Sequence, residues 1–259
     1  MEKKKGISGS TLKMIAIVTM LIDHIGAAVL ARLLMVNGLG ELDQTNTDAI
    51  MQWLSANGAL YWMYTVMRMI GRVAFPIFCF LLVEGFLHTH DVKKYAMRLG
   101  LFALLSEIPF DLAFSSKILE FNYQNVFFTL FIGLLTMIAY RAVEEKEEWN
   151  QALKVILYIL IVAAGMALAY FLKTDYAEKG VFCIMVLYIF RKKKMWQIIA
   201  GCASFIWETP ALFGFIPIAF YNGTRGWKMK YFFYIFYPAH LLILYLLCYF
   251  MRISGYSAV

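Results

Sequence analysis

Long apolar runs are the feature that most constrains this chain of 259 residues. Most of the runs have the roughly 20 residues that a helix needs to cross a bilayer. They lie at residues 11–36, 58–87, 126–140, 155–172 and 231–251. Hydrophobic residues make up 62% of the chain and charged residues 16%, against about 45–50% and 25% in soluble domains. The sequence therefore predicts a single all-α polytopic membrane domain over residues 1–259, with 1–10 as its cytoplasmic N-terminal segment.

The first apolar run follows three lysines, Lys3 to Lys5, in the manner of a signal peptide. It is too long for the apolar region of such a peptide, it contains Asp23 and His24, and it has no small-residue cleavage site where one is needed. We therefore interpret it as a retained first transmembrane helix.

The distribution of Lys and Arg between the loops predicts the orientation of the helices, because cytoplasmic loops carry an excess of these residues. Basic loops at 88–94, 191–194 and 222–230 are predicted to be cytoplasmic, and the acidic stretch 40–57 to be external. The interpretation is a multi-pass protein of the plasma or inner membrane with a cytoplasmic N-terminus. The net charge of +7 then reflects the inner loops, and we expect membrane lipid around the chain and no nucleic acid partner.

The stretch between residues 180 and 221 is less regular. Two basic loops flank 195–221, so an even number of crossings must connect them, and this stretch contains Pro210 and Pro217. We expect it to split near Thr209 into two short or re-entrant helices, which a membrane tolerates only where protein or water surrounds them. The prediction is about nine membrane segments in all.

Ionisable side chains inside these runs are candidates for function, because each costs a few kcal/mol or more in a bilayer. Asp23 and His24 lie near the middle of the first helix. A His beside a carboxylate can act as a general base near neutral pH. The alternative interpretation is a buried Asp–Arg pair that only fixes helix packing.

Several basic residues are predicted to lie near Asp23 and His24, either on the same helix face or at a similar depth in the membrane. Lys13 precedes His24 by eleven residues, which is about three helical turns, so both project from one face. Lys13 is expected at the cytoplasmic mouth. Arg68 and Arg72 are four residues apart on the second helix, and they are expected partners for Asp23 or for an anionic ligand.

Three further ionisable side chains lie within apolar sequence. Glu107 and Asp111 flank Pro109 at a spacing of four, and ion pairing with Arg68 or Arg72 competes with ligand binding as their interpretation. His240 follows Pro238, which removes a backbone hydrogen bond beside it, although a lone buried His is more often structural. The four cysteines stand singly, in no spacing that a metal site uses. No metal is expected.

Six sequence blocks resemble the TraX family, which is associated with conjugative transfer and pilin acetylation. Together they extend over most of the chain. They are Ile7–Gly26, Arg72–Phe86, Ser106–Asp111, Thr174–Tyr176, Tyr221–Gly226 and Phe236–Leu241. The first block also resembles the opening helix of the membrane acyltransferases of family three, where a basic residue, usually Arg, precedes a His by three turns. Lys13 replaces that Arg here and lacks its bidentate fork.

The resemblance implies transfer of an acyl group, acetyl above all, from cytoplasmic acyl-CoA to an amine or hydroxyl acceptor. The acceptor would be a pilin N-terminus or an envelope protein, glycan or lipid. His24 would be the catalytic base or carry the acyl group, with Asp23 orienting its ring and His240 assisting. Lys13, Arg225 and the 191–194 cluster would hold the CoA phosphates, and Asn125 would offer an amide to the acceptor.

Two other functions compete with acyl transfer. A secondary transporter also has broken helices and buried charges near the midplane, although such folds usually contain an internal repeat and none is visible here. The second competitor is a non-catalytic assembly factor for a pilus or envelope polymer, in which His24 only packs.

Overall fold

A computed structural model of the chain describes residues 5–227 and 230–256, and within these ranges it is helical throughout, with no β-strand. By length and composition, five helical stretches of the described chain can cross a membrane. They are Gly9–Val36, Thr47–His88, Val126–Glu144, Gln151–Phe171 and Tyr231–Phe250. The predicted helical membrane bundle is confirmed. Residues 1–4 of the predicted cytoplasmic segment 1–10, and 228–229 of the predicted loop 222–230, lie outside the described residues.

Eleven α-helices follow one another along the described chain. They are α1 (Gly9–Ile25), α2 (Ala31–Val36), α3 (Thr47–Gly71), α4 (Ala74–His88), α5 (Val92–Ser115), α6 (Val126–Glu144), α7 (Gln151–Phe171), α8 (Ala177–Ile189), α9 (Lys194–Ser204), α10 (Phe215–Ala219) and α11 (Lys230–Phe250). Pairing α1 with α2 and α3 with α4 leaves nine segments, in agreement with the predicted number.

The first segment is interrupted by a π-helical turn. Ser8 caps the start of α1 by accepting a hydrogen bond from the Thr11 amide, as N-cap serines do. The π-helix Gly26–Leu30 follows directly after α1 and connects it to α2. Single π-turns inside α-helices are frequent at functional sites, and this one begins two residues after His24.

The second segment is broken in the middle, where a single helix over 58–87 was predicted. α3 begins at Thr47, inside the predicted external stretch, because Asn46 caps it with its side chain. α3 ends at Gly71 and α4 begins at Ala74. Pro76 lies in the first turn of α4, where its missing N–H has no intrahelical partner to lose. The break leaves Arg72 between the two helices.

The predicted hairpin in residues 195–221 is confirmed. α9 is followed by a 3₁₀ segment, Ile206–Gly214, and then by α10. The backbone of Glu208 is non-helical, with φ −133° and ψ 75°, directly before the predicted break at Thr209–Pro210. The hairpin places Glu208 inside the bundle.

Loops that were predicted to be cytoplasmic meet at one end of the bundle. Ile7 N donates to Phe220 O at 2.9 Å, so the chain before α1 lies against the loop after α10. Lys194 Nζ donates to Tyr221 O at 2.7 Å. His90, after α4, lines the same cavity as Tyr221. The alternation of the segments therefore agrees with the charge pattern, and the side of the membrane on which this end lies stays a prediction.

The opposite end is held by Arg32, which is fully buried. Its guanidinium donates to Ala28 O at 2.8 Å, to Ser116 Oγ at 2.9 Å and to Tyr256 O at 2.9 Å. These bonds join α2 to the end of α5 and to the C-terminal segment. Since a buried charge without partners is costly, Arg32 fixes the part of the first segment that follows the π-turn.

Candidate functional site

His24 and His240 form the centre of the candidate site. His24 Nδ1 lies 2.6 Å from His240 Nε2, and the two rings are parallel to within 2°. Phe114 and Tyr237 meet the His24 ring edge to face, with centroid distances of 5.5 and 5.9 Å. The last helix therefore brings its histidine to the first helix, and the catalytic assignment of the two residues stays a prediction.

Hydrogen bonds determine which ring nitrogen carries each proton. His240 Nδ1 lies 2.7 Å from Phe236 O, which can only accept, so this nitrogen carries the hydrogen of a neutral ring. His240 Nε2 then accepts from the Nδ1–H of His24. The remaining lone pair is on His24 Nε2. This is the arrangement of a general base whose tautomer is set by a second group.

Asp23 does not orient the His24 ring, in contrast to the expectation. Its Oδ2 accepts from Arg68 Nη1 at 2.6 Å, so the predicted Asp23–Arg68 partnership is confirmed. Adjacent residues on an α-helix project about 100° apart, and Asp23 therefore faces α3 while His24 faces α11. Gly71 allows this approach, since a Cβ at that position would overlap the Asp23 side chain.

Arg72, at the break between α3 and α4, pairs with a carboxylate that the sequence did not single out. Its Nε lies 3.2 Å from Glu208 Oε1, and both side chains are largely buried. The Arg72 guanidinium also lies near the hydroxyl of Tyr176. Only one feature of the sequence could have identified Glu208 as a site residue. It lies close to Pro210, in a segment that was expected to be broken.

The segment 173–177 adds two more side chains, Asp175 and Tyr176, which the sequence identified only as part of a family block. Lys173, Tyr176 and Ala177 all have positive φ, at 52°, 63° and 41°. Such conformations cost about 1–3 kcal/mol each in non-glycine residues and cluster at active sites. Asp175 accepts a 2.7 Å bond from the Tyr123 hydroxyl, and burial raises the pKa of its carboxyl to about 6.

These side chains surround a cavity of about 110 Å³, here named the polar cavity. Its lining includes the charged or titratable side chains Asp23, His24, Arg68, Arg72, Asp175 and Tyr176. The two arginines are each paired with a carboxylate, so the lining is internally compensated. A cavity of this size holds a few heavy atoms, since a 150 Å³ cavity binds benzene.

A second and larger cavity, of about 580 Å³, opens at the end of the bundle that holds the N-terminus, and is named the basic cavity. Lys13, Arg98 and Arg225 line it, together with His88 and His90. The structure thus brings the predicted residues Lys13 and Arg225 together.

One face of α1 connects the two cavities. Lys13, Ile17 and Met20 line the basic cavity, and Met20 and His24 line the polar cavity. Four residues border both cavities, and we name them the septum. The septum consists of Met20, Phe78, Val126 and Tyr237.

Other predicted site residues lie elsewhere. Glu107 Oε2 accepts from the side-chain amide of Asn125 and from its backbone N, and Asp111 Oδ2 accepts from Glu120 N at 2.8 Å. Neither carboxylate lines a cavity or pairs with Arg68 or Arg72. The Asn125 side chain also caps α6, and so its amide is engaged within the protein.

The basic cluster 191–194 contacts protein groups at the same end of the bundle. Arg191 Nη2 lies 2.6 Å from Glu144 Oε2, and its guanidinium carbon lies 3.9 Å from the centre of the Tyr188 ring. Lys194 donates to Tyr221 O. None of residues 191–194 lines the basic cavity. Among the described residues there is also no cluster of three or more His, Cys, Asp or Glu that could hold a metal ion.

Comparison with known proteins agrees with the blocks seen in the sequence. The family described as TraX protein matches residues 8–248, and the chain belongs to this family. It is 27% identical over 208 residues to the probable fimbrial assembly protein FimC, serogroup H1, of Dichelobacter nodosus, an alignment that covers 71% of this chain and 83% of that protein. No solved structure matches the chain.

Proposed function

We propose that this TraX family member is a membrane-embedded acyltransferase that moves an acetyl or other acyl group from cytoplasmic acyl-CoA to an amine or hydroxyl acceptor. The observation that carries the proposal is the hydrogen-bond chain from Phe236 O through His240 to His24. It leaves the lone pair of His24 Nε2 free in a ring that lines the polar cavity. Such a nitrogen is suited to removing a proton from a nucleophile.

The proposed reaction needs no group beyond donor and acceptor. His24 Nε2 takes the proton of a neutral amine or hydroxyl as that group attacks the thioester carbonyl carbon. The C–N or C–O bond forms, and the carbonyl oxygen becomes an oxyanion. The tetrahedral intermediate collapses with cleavage of the C–S bond, and the proton on His24 passes to the CoA thiolate. The imidazolium is stabilised meanwhile by His240, which accepts from Nδ1–H.

Arg72 and Tyr176 are suited to stabilising the oxyanion. Arg72 and the Tyr176 hydroxyl lie close together, and both residues line the polar cavity, where each would donate to a developing negative charge. Preorganised donors of this kind contribute several kcal/mol to acyl transfer. The Phe75 ring holds the Tyr176 ring in place, since the two are stacked at a centroid distance of 3.6 Å.

The donor would enter through the basic cavity, where Lys13 and Arg225 would hold its phosphates. Its thioester would then reach His24 across the septum. This route requires the N-terminal end of the bundle to face the cytoplasm. Cysteine labelling of intact cells tests that orientation: a cysteine at Gln44 should be modified readily and one at Lys192 should not, and the reverse pattern would overturn it.

The name of the relative bears on the acceptor. Because that protein is described as a probable fimbrial assembly protein, we propose a pilin or fimbrial subunit as the acceptor here, with an envelope glycan or lipid as the alternative. The same name favours a second candidate function, a non-catalytic assembly factor. A secondary transporter is the third, and nothing in the described fold repeats in the way that such transporters do.

Purified protein incubated with radiolabelled acetyl-CoA separates these functions. An acyltransferase hydrolyses the donor slowly or transfers the label to an added acceptor, and His24→Ala loses this activity. Label that stays on CoA with wild-type protein and a pilin peptide present would favour the assembly factor. Accumulation of unreacted label inside vesicles would favour the transporter.

A further inference from the structure

We infer that Arg98, a residue the sequence did not assign, completes a three-cation site for a phosphate ester in the basic cavity. This site would hold the phosphates of the donor, so the inference rests on the proposed function and extends it to a further specificity-determining residue. Arg98 lies on α5, Lys13 on α1 and Arg225 in the loop before α11. Three separate elements therefore present one cation each to the same space.

The first argument is that these charges are not balanced by the protein. Among the described residues, no carboxylate lies within 4.0 Å of any of the three cations. Lys13 and Arg225 are close enough for their charges to repel each other. The one carboxylate in the described lining, Glu84, lies near the Tyr221 hydroxyl and pairs with none of the three cations. Like charges gathered without a counterion indicate that an anion occupies the site in use.

The second argument is the hydrogen bonding of Arg98. Its guanidinium lies beside the Tyr234 hydroxyl, and both residues line the basic cavity. Its Nε is buried and has no hydrogen-bond partner in the described structure. Leaving a charged buried donor unsatisfied is costly. A planar guanidinium held in this way matches the bidentate geometry of phosphate.

The third argument is that backbone amides do not already serve as the anion site. Gly9 N donates to Thr224 O at 2.7 Å and Ser10 N donates to Arg225 O at 3.0 Å. The next amide, Thr11 N, donates to Ser8 Oγ. The first turn of α1 is therefore occupied by protein acceptors, and recognition of an anion falls to the side chains.

Aromatic groups around the cations define the rest of the ligand. Phe233 lies under Lys13, with Nζ 5.1 Å from the ring centre, and Tyr234 and Trp227 also line the cavity. Trp227 is 75% exposed, which leaves a flat face for a planar group, and aromatic faces of this kind stack on nucleobases. The site therefore fits a phosphate ester that carries a base, as coenzyme A does.

The experiment measures binding of unacylated coenzyme A and of pantetheine by calorimetry, with full-length protein in phosphatidylcholine nanodiscs. Coenzyme A should bind, and pantetheine, which has no phosphate, should bind at least about tenfold more weakly. Arg98→Met, which keeps the apolar stem, should weaken coenzyme A binding about tenfold or more, the usual cost of losing a charge-assisted hydrogen bond. Arg98→Lys should recover part of this loss.

Arg141→Gln is the matched control. Arg141 lies at the same end of the bundle, on α6, is exposed, and pairs with Glu145 outside the cavity, so binding should not change. A second set of nanodiscs contains phosphatidylglycerol. If this lipid competes with coenzyme A in wild type but not in Arg98→Met, the same cations also take a lipid phosphate, and the phosphate site stands.

Binding of coenzyme A by Arg98→Met at wild-type affinity, or equal binding of pantetheine and coenzyme A, would overturn the inference. Acyl transfer is measured on the same samples, so the two proposals can fail separately. Arg98-dependent binding without transfer would remove the acyltransferase and leave the site. Transfer that does not depend on Arg98 would remove the site and leave the acyltransferase.

Discussion

The polar and basic cavities lie along one face of α1 but balance their charges in opposite ways. In the polar cavity each arginine has a carboxylate, with Arg68 on Asp23 and Arg72 on Glu208. In the basic cavity three cations have no carboxylate partner in the described structure. The polar cavity is about 110 Å³ and the basic cavity about 580 Å³.

This difference relates the burial of each cavity to the way its charged side chains are paired. Burying an unpaired charge has a large desolvation cost, and in the small polar cavity both arginines are paired with carboxylates, beside the His24 ring. In the larger basic cavity, three cations without a carboxylate partner remain available to a ligand. Under the proposed function, the first cavity would carry out the chemistry and the second would anchor the donor.

The strongest test of this division is to remove the base. His24→Ala should lower acyl transfer about a hundredfold or more, which is the contribution expected of a general base, while coenzyme A still binds in the basic cavity. Measurements of transfer rate and of binding on the same sample check both. Loss of both properties together, in protein that remains monodisperse, would mean that the cavities are not separate in function.

His240 refines the same test. His240→Ala should cause a smaller loss than His24→Ala, because it removes the acceptor for His24 Nδ1–H and leaves the base in place. His240→Gln offers a carbonyl oxygen as a replacement acceptor and should retain more activity than the alanine variant. If His240→Ala is inactive while His24→Ala transfers normally, the catalytic role moves to the last helix.

A substitution in the basic cavity should weaken donor binding and leave the chemical step nearly unchanged, the opposite of the effect expected for His24→Ala. Lys13→Gln should weaken coenzyme A binding about tenfold, because one charge-assisted contact to phosphate is lost, and should raise KM with little change in kcat. Arg225→Gln should behave in the same way. Steady-state kinetics at saturating donor measures the split. A fall in kcat at saturating donor would show that these cations act on chemistry as well as on anchoring.

A smaller effect is expected from crowding the polar cavity without removing a charge. Gly71→Ala places a Cβ against Asp23, and overpacking of this kind costs about 1–3 kcal/mol. Thermal stability should fall and transfer should slow. Gly58→Ala, on the same helix, meets nothing within 4 Å and should be neutral or slightly stabilising, since Ala favours a helix over Gly. Equal effects of the two substitutions would contradict the close approach of Gly71 to Asp23.

The smallest effect is expected at Glu107, which belongs to neither cavity. Glu107→Gln keeps an oxygen that can accept from the Asn125 amide. Any change in this hydrogen bond should amount to about 1 kcal/mol or less, and it should affect only the local structure. Transfer rate and coenzyme A affinity should therefore both stay within about twofold of wild type. A large loss of either property would place Glu107 in the machinery of the corresponding cavity.

The sequence by itself determined the helical membrane fold and the family to which the chain belongs. Apolar length, helical spacing and proline position are local properties, and they predicted the bundle, the shared face of Lys13 and His24, and the break beside Pro210. They missed the break at Arg72, although Pro76 marks the first turn of the helix that follows.

Only the tertiary structure decided which of the many buried polar groups meet. His24 and His240 contact each other although they are 216 residues apart in the chain. Arg72, between α3 and α4, pairs with Glu208, which lies between α9 and α10. Asp175 and Tyr176, in the segment with positive φ values, line the same cavity. Glu107 and Asp111 had a similar pattern in sequence, yet local loop and cap hydrogen bonds engage them. Helical periodicity specifies the face from which a side chain projects. The group that it meets depends on how separate helices pack, and no local pattern contains that information.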